Sequence, residues 1–333
     1  MERREDTIVA TAPLADAAPG NWVDAIAPRA LRPYLRLARF DRPVGAWLLL
    51  WPCWWSIALA AHQAPVFRWA ATGAGSRAEG FPDPILLLVF LVGAFAMRSL
   101  GCTFNDLIDR DLDRRVARTA ARPIASGQVS VVGALVLLVL LGVPALAILL
   151  VFNRFAITAG LAALVLVAAY PFAKRVTAFP QVVLGLAFAW GALLGWAAFT
   201  GELGAAPLVL YGAAVAWVIG YDTIYASQDI EDDRIAGVGS AAIAFGRQAK
   251  VALALLYLVA ALGIAVAAWL AKVPPLPFGA IYIAAIMQLI WQVVDVRLAD
   301  PADCLAKFRS NHTFGLLVFV AIVVASVFTR VVH

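Results

Sequence analysis

Charge is what this 333-residue chain has least of: Asp, Glu, Lys and Arg together make up 14% of it, against 63% apolar residues and a mean hydropathy of +0.86. Those proportions exclude an ordinary soluble domain and point to a polytopic membrane protein. Cysteine is nearly absent as well. Cys53, Cys102 and Cys304 stand far apart, which excludes a disulfide framework and a thiolate metal site. His62, His312 and His333 are equally scattered, which removes a histidine-bound zinc or a haem pair. The first 40 residues lack the apolar core and cleavage site of a signal peptide. Glu2, Glu5, Asp6, Asp16 and Asp24 also conflict with the acid-poor pattern of a mitochondrial transit peptide, so a bacterial inner membrane is the expected location.

What is abundant is apolar sequence long enough to cross roughly 30 Å of hydrocarbon as helix. Nine such stretches are read, near residues 43–62, 84–104, 131–151, 155–173, 178–200, 206–225, 251–271, 277–296 and 312–330, giving an all-α fold. Only Lys174, Arg175 and a few neighbours separate the fourth from the fifth, and without that division the count would be eight. With a cytoplasmic amino terminus, the tail through Arg42 and the gaps 105–130, 174–177, 226–250 and 297–311 all face the cytoplasm. Together they hold 20 of the 26 basic residues, as the positive-inside rule requires. Residues 1–40 are read as a tail, with Arg29 to Arg39 as a basic amphipathic helix on an anionic leaflet, and residues 41–333 as one transmembrane domain. Trp47, Trp51, Trp54 and Trp55 are read as packing residues and interfacial anchors.

Nine of the 21 acidic residues fall in two short stretches, NDLIDRDLD at Asn105 to Asp113 and DTIYASQDIEDD at Asp222 to Asp233, each at the end of an apolar segment. Carboxylates beside a membrane are costly unless something uses them. If the second span continues as helix through the first stretch, Asp106, Asp109 and Asp113 share one face, Asn105 joins it at a step of four, and Asp111 lies opposite. Asp222, Tyr225, Asp229 and Asp233 follow the same arithmetic, with Asp232 close to that face. Like charges so placed need a cation. Oxygen donors with no histidine or cysteine among them suit Mg2+, which takes one or two carboxylates and completes its shell with phosphate and water. The pattern therefore asks for a phosphorylated ligand. Arg110, Arg114, Arg115, Arg118, Arg122, Lys174, Arg175 and Arg234 lie close enough in sequence to grip one. Arginines after a span also set topology, and that plainer reading suits them; topology has no need of the carboxylates. The two stretches begin 117 residues apart with four spans in each interval, an internal duplication that would bring both acidic faces to one cytoplasmic mouth.

The run GCTFNDLIDRDLDRRVARTAARPIASG, Gly101 to Gly127, resembles the first signature, NDxxDxxxD, of the UbiA superfamily of intramembrane prenyltransferases. YDTIYASQDIEDD, Tyr221 to Asp233, is similar to the second, DxxxD, at Asp229 and Asp233. RFDRPVGAWLLLWPCWWS from Arg39, YPFAKRVTAFPQVVLG from Tyr170 and DPADCLAKFRSN from Asp300 extend the likeness over nearly all of the chain after residue 36. The YDTxYAxxDxxDD form is most similar to the branch that prenylates 4-hydroxybenzoate. One stretch departs. Where the family usually has DxKxGVKSTAxxFG this chain reads DRIAGVGSAAIAFG, with Ile235 and Gly239 in place of lysines and Ala241 in place of threonine.

The resemblance implies nine transmembrane helices around a cavity, an Asp-rich cap on the cytoplasmic side and an opening toward lipid. It implies Mg2+-dependent transfer of a polyprenyl group from its diphosphate to the carbon ortho to the hydroxyl of 4-hydroxybenzoate, in ubiquinone biosynthesis. Asn105, Asp106, Asp109, Asp113, Asp229 and Asp233 would hold the metal. Asp109, Asp113, Asp229, Asp233, Arg175 and Tyr225 would carry catalysis, and Arg39, Arg110, Arg118, Arg122, Lys174 and Asp222 would bind substrate. Either Arg39 or Arg110 would receive the benzoate carboxylate. Tyr225 would orient a substrate oxygen, face a cation with its ring, or serve only as an interfacial anchor. The substrates and the bilayer are the expected partners, with no nucleic acid. A sister enzyme acting on homogentisate or a naphthoate is the nearest competing reading. A secondary transporter would instead place its acids in broken helices at mid-bilayer. A CDP-alcohol phosphatidyltransferase would need a DGxxAR core, and a soluble prenyl diphosphate synthase a polar composition; this chain has neither.

Overall fold

The computed structural model describes residues 17, 20–64, 66–69, 75–77, 80–115 and 119–331. In chain order its elements are α1 (Trp22–Ala25), α2 (Arg32–Leu37), α3 (Val44–Gln63), β1 (Val66–Arg68), β2 (Gly75–Arg77), α4 (Pro84–Ile108), α5 (Arg110–Asp113), α6 (Val131–Leu150) and α7 (Arg154–Val176). Beyond these lie α8 (Pro180–Ala189), α9 (Gly191–Thr200), α10 (Ala205–Ala226), α11 (Ile230–Ala236), α12 (Ala241–Phe245), α13 (Ala249–Leu270), α14 (Pro275–Asp295) and α15 (Pro301–Val331). Among the described residues, nine helical segments are long and apolar enough to cross a membrane, the number read from the sequence. Three are compound: α8 runs into α9, α10 into a 3₁₀ turn ending at Asp229, and α12 into α13. The division between the fourth and fifth spans stands, because Thr177 takes up extended backbone after α7 and Pro180 opens α8.

Two details depart from the sequence reading. β1 and β2 form a short antiparallel hairpin, Val66 opposite Arg77 and Arg68 opposite Gly75, between the first two spans of a fold read as all-α. The last helix begins at Pro301 rather than near 312. Pro301 pre-sets the first helical turn, Asp300 Oδ1 accepts from the Ala302 and Asp303 amides, and the charged stretch is satisfied by pairing Lys307 with Asp295 and Asp303.

The described residues divide into two compact units. The first takes those up to Ala46 together with Gly93–Ala147. Its core is Leu37, Ile124, Val129 and Ala134, with Tyr34, Leu107 and Leu137 packed against it. Leu37 is the buried residue of α2, which covers six residues; Arg36 pairs with Asp24 at 2.8 Å, so the chain around α2 turns apolar and charged groups alike inward. Ser99 on α4 donates to the Ala38 carbonyl at 2.8 Å and fixes the backbone just before Arg39.

The second unit comprises Trp47–Val92 and Ile148–His333. α10 is its axis, packed against α8, α9, α13 and α15. Gly191 and Gly195, one turn apart, let α9 press onto α3: a Cβ at Gly195 would stand 2.6 Å from the Cys53 carbonyl. Small residues at that spacing are the usual device for close helix crossings in lipid. Buried polar groups are knotted together. Trp217 Nε1 donates to Asn311 at 2.8 Å, Asn311 Nδ2 to Gln292 Oε1 at 3.1 Å, and the Tyr257 hydroxyl to the same Gln292 oxygen at 2.8 Å. Trp51 and Trp55 are fully buried, and the Trp54 indole donates to the Leu87 carbonyl, in line with the packing role read for these tryptophans.

Candidate functional site

In the first unit α4 does continue as helix into the first acidic stretch, through Asn105 and Asp106 to Ile108, and then bends at Asp109 before the single turn of α5. The uniform helical face expected from the spacing is therefore interrupted at Asp109. Asp106, Asp109 and Asp113 are nonetheless all buried, while Asp111 is exposed and pairs with Arg110 and Arg114. Buried carboxylates need partners. Arg39 Nη2 donates to both oxygens of Asp106 at 2.8 Å. Arg122 Nη1 donates to Asp106 at 3.1 Å and to the two Asp113 oxygens at 3.2 and 3.0 Å.

The backbone that delivers these arginines is specialised. Arg39 has φ +62°, a left-handed conformation that costs a non-glycine residue about 1–3 kcal/mol and persists only where the surroundings enforce it. Here Leu37 in the core and the Ser99 bond to Ala38 enforce it. Arg122 stands in a run of turns: its amide donates to Thr119, its carbonyl accepts from Ser126, and buried Ile124 anchors the run in the core. Burial pushes the Asp113 carboxyl above its ordinary pKa; Arg122 opposes that shift, and Asp106 and Asp109 add to it. Burial works hardest against the Arg39 charge, and Asp106, Cys102 and Asp41 together outweigh it, so the guanidinium is held above its ordinary value.

The second acidic stretch lies wholly in the other unit, at the end of α10. Asp222 and Tyr225 occupy the last turns of that helix, Asp229 ends the 3₁₀ turn, and Asp233 lies on α11; all four are half-buried. Ser227 donates to the Thr223 carbonyl and Gln228 to that of Tyr225, which tightens the turn between them. The Tyr225 ring lies 4.7 Å from Phe308, and Tyr221 lies 5.6 Å from the same ring, so Tyr225 belongs to an aromatic column running back to Trp217. α11 ends at Gly237, whose φ of +68° makes the left-handed cap.

Arg175 is exposed at the end of α7, with Lys174 beside it in the chain. The backbone just after this pair, at Thr177 and Ala178, accounts for one departure from the family pattern. A Cβ at Gly239 would meet the Thr177 carbonyl oxygen at 2.1 Å and Ala178 Cα at 3.0 Å. Glycine is thus what lets the loop after the second acidic stretch lie on the backbone just beyond Arg175. Gln181 Oε1, accepting from the Ala241 amide at 2.9 Å, and the Phe179–Phe245 ring contact fasten the same two segments. The side chain of Ile235, the other departure, is exposed. Arg118 lies outside the described residues.

Among the described residues no three His, Cys, Asp or Glu side chains come together as a metal-holding group. The donor chemistry of the first stretch still suits a hard divalent ion, which commonly takes only one or two carboxylates and fills its shell with phosphate and water. Asn105, Asp109 and Asp113 bring oxygen donors and no nitrogen or sulfur ligand; the oxygens of Asp106 are engaged by both Arg39 and Arg122, and those of Asp113 by Arg122.

Residues 49–323 match the UbiA prenyltransferase family. The chain is 42% identical over 308 residues to the mitochondrial 4-hydroxybenzoate polyprenyltransferase of Caenorhabditis elegans, covering 92% of this chain and 82% of that one. It is 43% identical over 308 residues to the enzyme of the same name from Rattus norvegicus, covering 91% and 77%. In three dimensions it resembles a UbiA homolog from Archaeoglobus fulgidus bound to GPP and Mg2+, with a TM-score of 0.62 at 20% identity, covering 87% of this chain and 99% of that one. The relatives correct one expectation. They are mitochondrial enzymes of eukaryotes, which points to a mitochondrial membrane and not the bacterial inner membrane read from the sequence. That expectation rested on Glu2, Glu5, Asp6, Asp16 and Asp24 departing from the acid-poor composition of a transit peptide, a compositional pattern that does not by itself fix the organelle.

Proposed function

The chain belongs to the UbiA prenyltransferase family, and from that premise we propose that it transfers a polyprenyl group from a polyprenyl diphosphate to the carbon ortho to the hydroxyl of 4-hydroxybenzoate, in ubiquinone biosynthesis. The observation that carries this reading is the likeness, over about nine tenths of the chain, to relatives bearing that name. Residues 41–333 act as one domain, with the four-span interval as a pseudo-repeat. Both acidic stretches serve the same reaction, as the Asp-rich cap of the family would.

Asn105, Asp109, Asp113, Asp229 and Asp233 would hold Mg2+, the divalent ion that oxygen donors favour. When bound, the ion neutralises charge on the diphosphate leaving group. Arg175, Lys174 and Arg118 grip the diphosphate, supplying donors where negative charge develops. Asp222 and Tyr225 orient the substrate, Tyr225 presenting a ring face held by its tilted contact with Phe308. Arg39 is committed to Asp106, so the exposed Arg110 is the arginine assigned to the benzoate carboxylate. The apolar spans keep water from the allylic carbon as its bond to oxygen breaks.

The test is a membrane assay with labelled 4-hydroxybenzoate and a polyprenyl diphosphate, comparing Mg2+ with chelator and wild type with Asp109→Ala and Asp229→Ala at matched abundance. Mg2+-dependent product, lost in both variants, is expected. Product only with homogentisate or a naphthoate would overturn the acceptor, and product that survives both substitutions would overturn the role of the acidic stretches.

A further inference from the structure

The two arginines of the first acidic stretch are built for different work. Arg39 is fixed: its backbone is locked in the left-handed region, its side chain is 11% exposed, and one nitrogen holds both oxygens of Asp106. Arg122 is 25% exposed and reaches its partners from a run of turns between α5 and α6. A single nitrogen of Arg122 ties Asp106 to Asp113, two carboxylates seven residues apart. Through Asp106 and Asp113, the buried carboxylates of this stretch thus meet two guanidinium groups of unequal freedom.

A divalent ion and the Arg122 guanidinium compete for the same Asp113 oxygens. Both are cations, and a carboxylate shared between them would hold like charges in contact. The guanidinium can leave only if another anion receives it. A diphosphate offers the acceptor oxygens that an arginine fork binds best.

Resting on the reading that this stretch holds metal and diphosphate, we propose that Arg122 is a counter-ion latch. It occupies Asp113 before the metal arrives and passes that carboxylate to the metal as it turns to the incoming diphosphate, while Arg39 and Asp106 remain a fixed strut. Metal alone then binds against an internal competitor. Metal with diphosphate does not, so each tightens the binding of the other by the same factor. Arg122 is on this account a positioning residue for the leaving group, and Asp106 is not a metal ligand.

Removing the latch has two effects of opposite sign, a signature that general damage does not produce. Equilibrium dialysis of purified protein against Mn2+ alone, with bound metal counted directly, is expected to show Arg122→Gln binding about tenfold tighter than wild type, the size of one charge-assisted hydrogen bond. The same variant is expected to show a KM for polyprenyl diphosphate raised by about tenfold. Arg122→Lys keeps the charge and the fold but loses the planar fork, and should move both quantities in the same directions by less. Arg39→Gln should lower the melting temperature without tightening Mn2+ binding. If Asp109→Asn abolishes Mn2+ binding but Arg122→Gln and Arg122→Lys bind Mn2+ no more tightly than wild type, the latch is refuted and the metal reading stands. If Asp109→Asn binds Mn2+ as wild type does, the metal reading falls and the latch with it.

Discussion

Gly239→Lys puts a family-typical lysine where this chain has glycine, and two lines of reasoning give opposite forecasts for it. If lost loop charge weakens the grip on diphosphate, restoring the lysine should lower KM. The backbone says otherwise. Any Cβ at this position starts 2.1 Å from the Thr177 oxygen, so the loop must lift by roughly 1.3 Å to reach the 3.4 Å at which ordinary contact begins. Neither neighbour is a flexible side chain: one is a carbonyl oxygen and the other an α carbon. Overpacking of this kind costs about 1–3 kcal/mol. Lifting the loop also breaks the Gln181–Ala241 bond, worth about 1 kcal/mol more. For a chain of this size a total of about 2–4 kcal/mol lowers the melting temperature in detergent by roughly 5 °C. The lifted segment is joined to the one that carries Arg175, and a misplacement near 1 Å can cost about 100-fold in rate. Gly239→Lys should therefore lose stability and kcat/KM together, and Gly239→Ala, which adds the Cβ without charge, should lose nearly as much. A Gly239→Lys variant that melts no lower than wild type, with a reduced KM for diphosphate, would refute the steric argument.

Three further outcomes are expected. Asn311→Ala strands the Trp217 indole donor and one bond to Gln292 in a buried site, and should cost about 1–3 kcal/mol, read as a lower melting temperature; an unchanged value would mean that the knot is not structural. Gly195→Leu drives a branched side chain into the Cys53 carbonyl, and should cost about 3 kcal/mol or more and leave little monodisperse protein on size exclusion. Asp41 is buried, its oxygens have no hydrogen-bond partner among the described residues, and burial raises its pKa against the opposing pull of Arg42 and Arg39. The folded state therefore holds that proton more tightly than the unfolded chain. The stability it confers is present below the ordinary value of 3.8 and is lost as pH rises through the raised one. Asp41→Asn, neutral throughout, should match wild type at the acid end and be the more stable at pH 7; a less stable variant at neutral pH would reverse the assignment.

The spans were legible because each is set by local composition: an apolar stretch of the right length, ended by charge, proline or an extended residue, is helical whatever lies beside it. The register of the acidic residues was legible for the same reason, as far as Ile108. What could not be read is everything that depends on a distant partner. Nothing near Asp109 in the sequence announces the bend there, and no propensity rule puts an arginine at φ +62°. The hairpin of β1 and β2 has only three residues on each side, and β2, Gly-Ser-Arg, has little strand character of its own. The GALLG run at Gly191 to Gly195 was readable in principle as a close-packing motif, and only its partner, Cys53, required the structure.

The same distinction decides how the candidate site is to be read. Residue types along the first stretch predict a row of equivalent carboxylates, because spacing assigns a face and says nothing about what each side chain meets. Once partners are known the row is no longer uniform. Asp106 is bound on one side by a guanidinium that the backbone holds in place and on the other by one that reaches it from a turn, Asp113 by the second alone among those bonds, and Asp111 by surface arginines. A buried carboxylate held by a fixed cation has no oxygen to offer a metal without breaking a bond that nothing replaces. One held by a more exposed cation can exchange it when a diphosphate accepts the guanidinium. Substitutions along this stretch should accordingly separate by partner and not by position: Asp106→Asn acts chiefly through stability, whereas Asp113→Asn acts chiefly through metal and diphosphate binding.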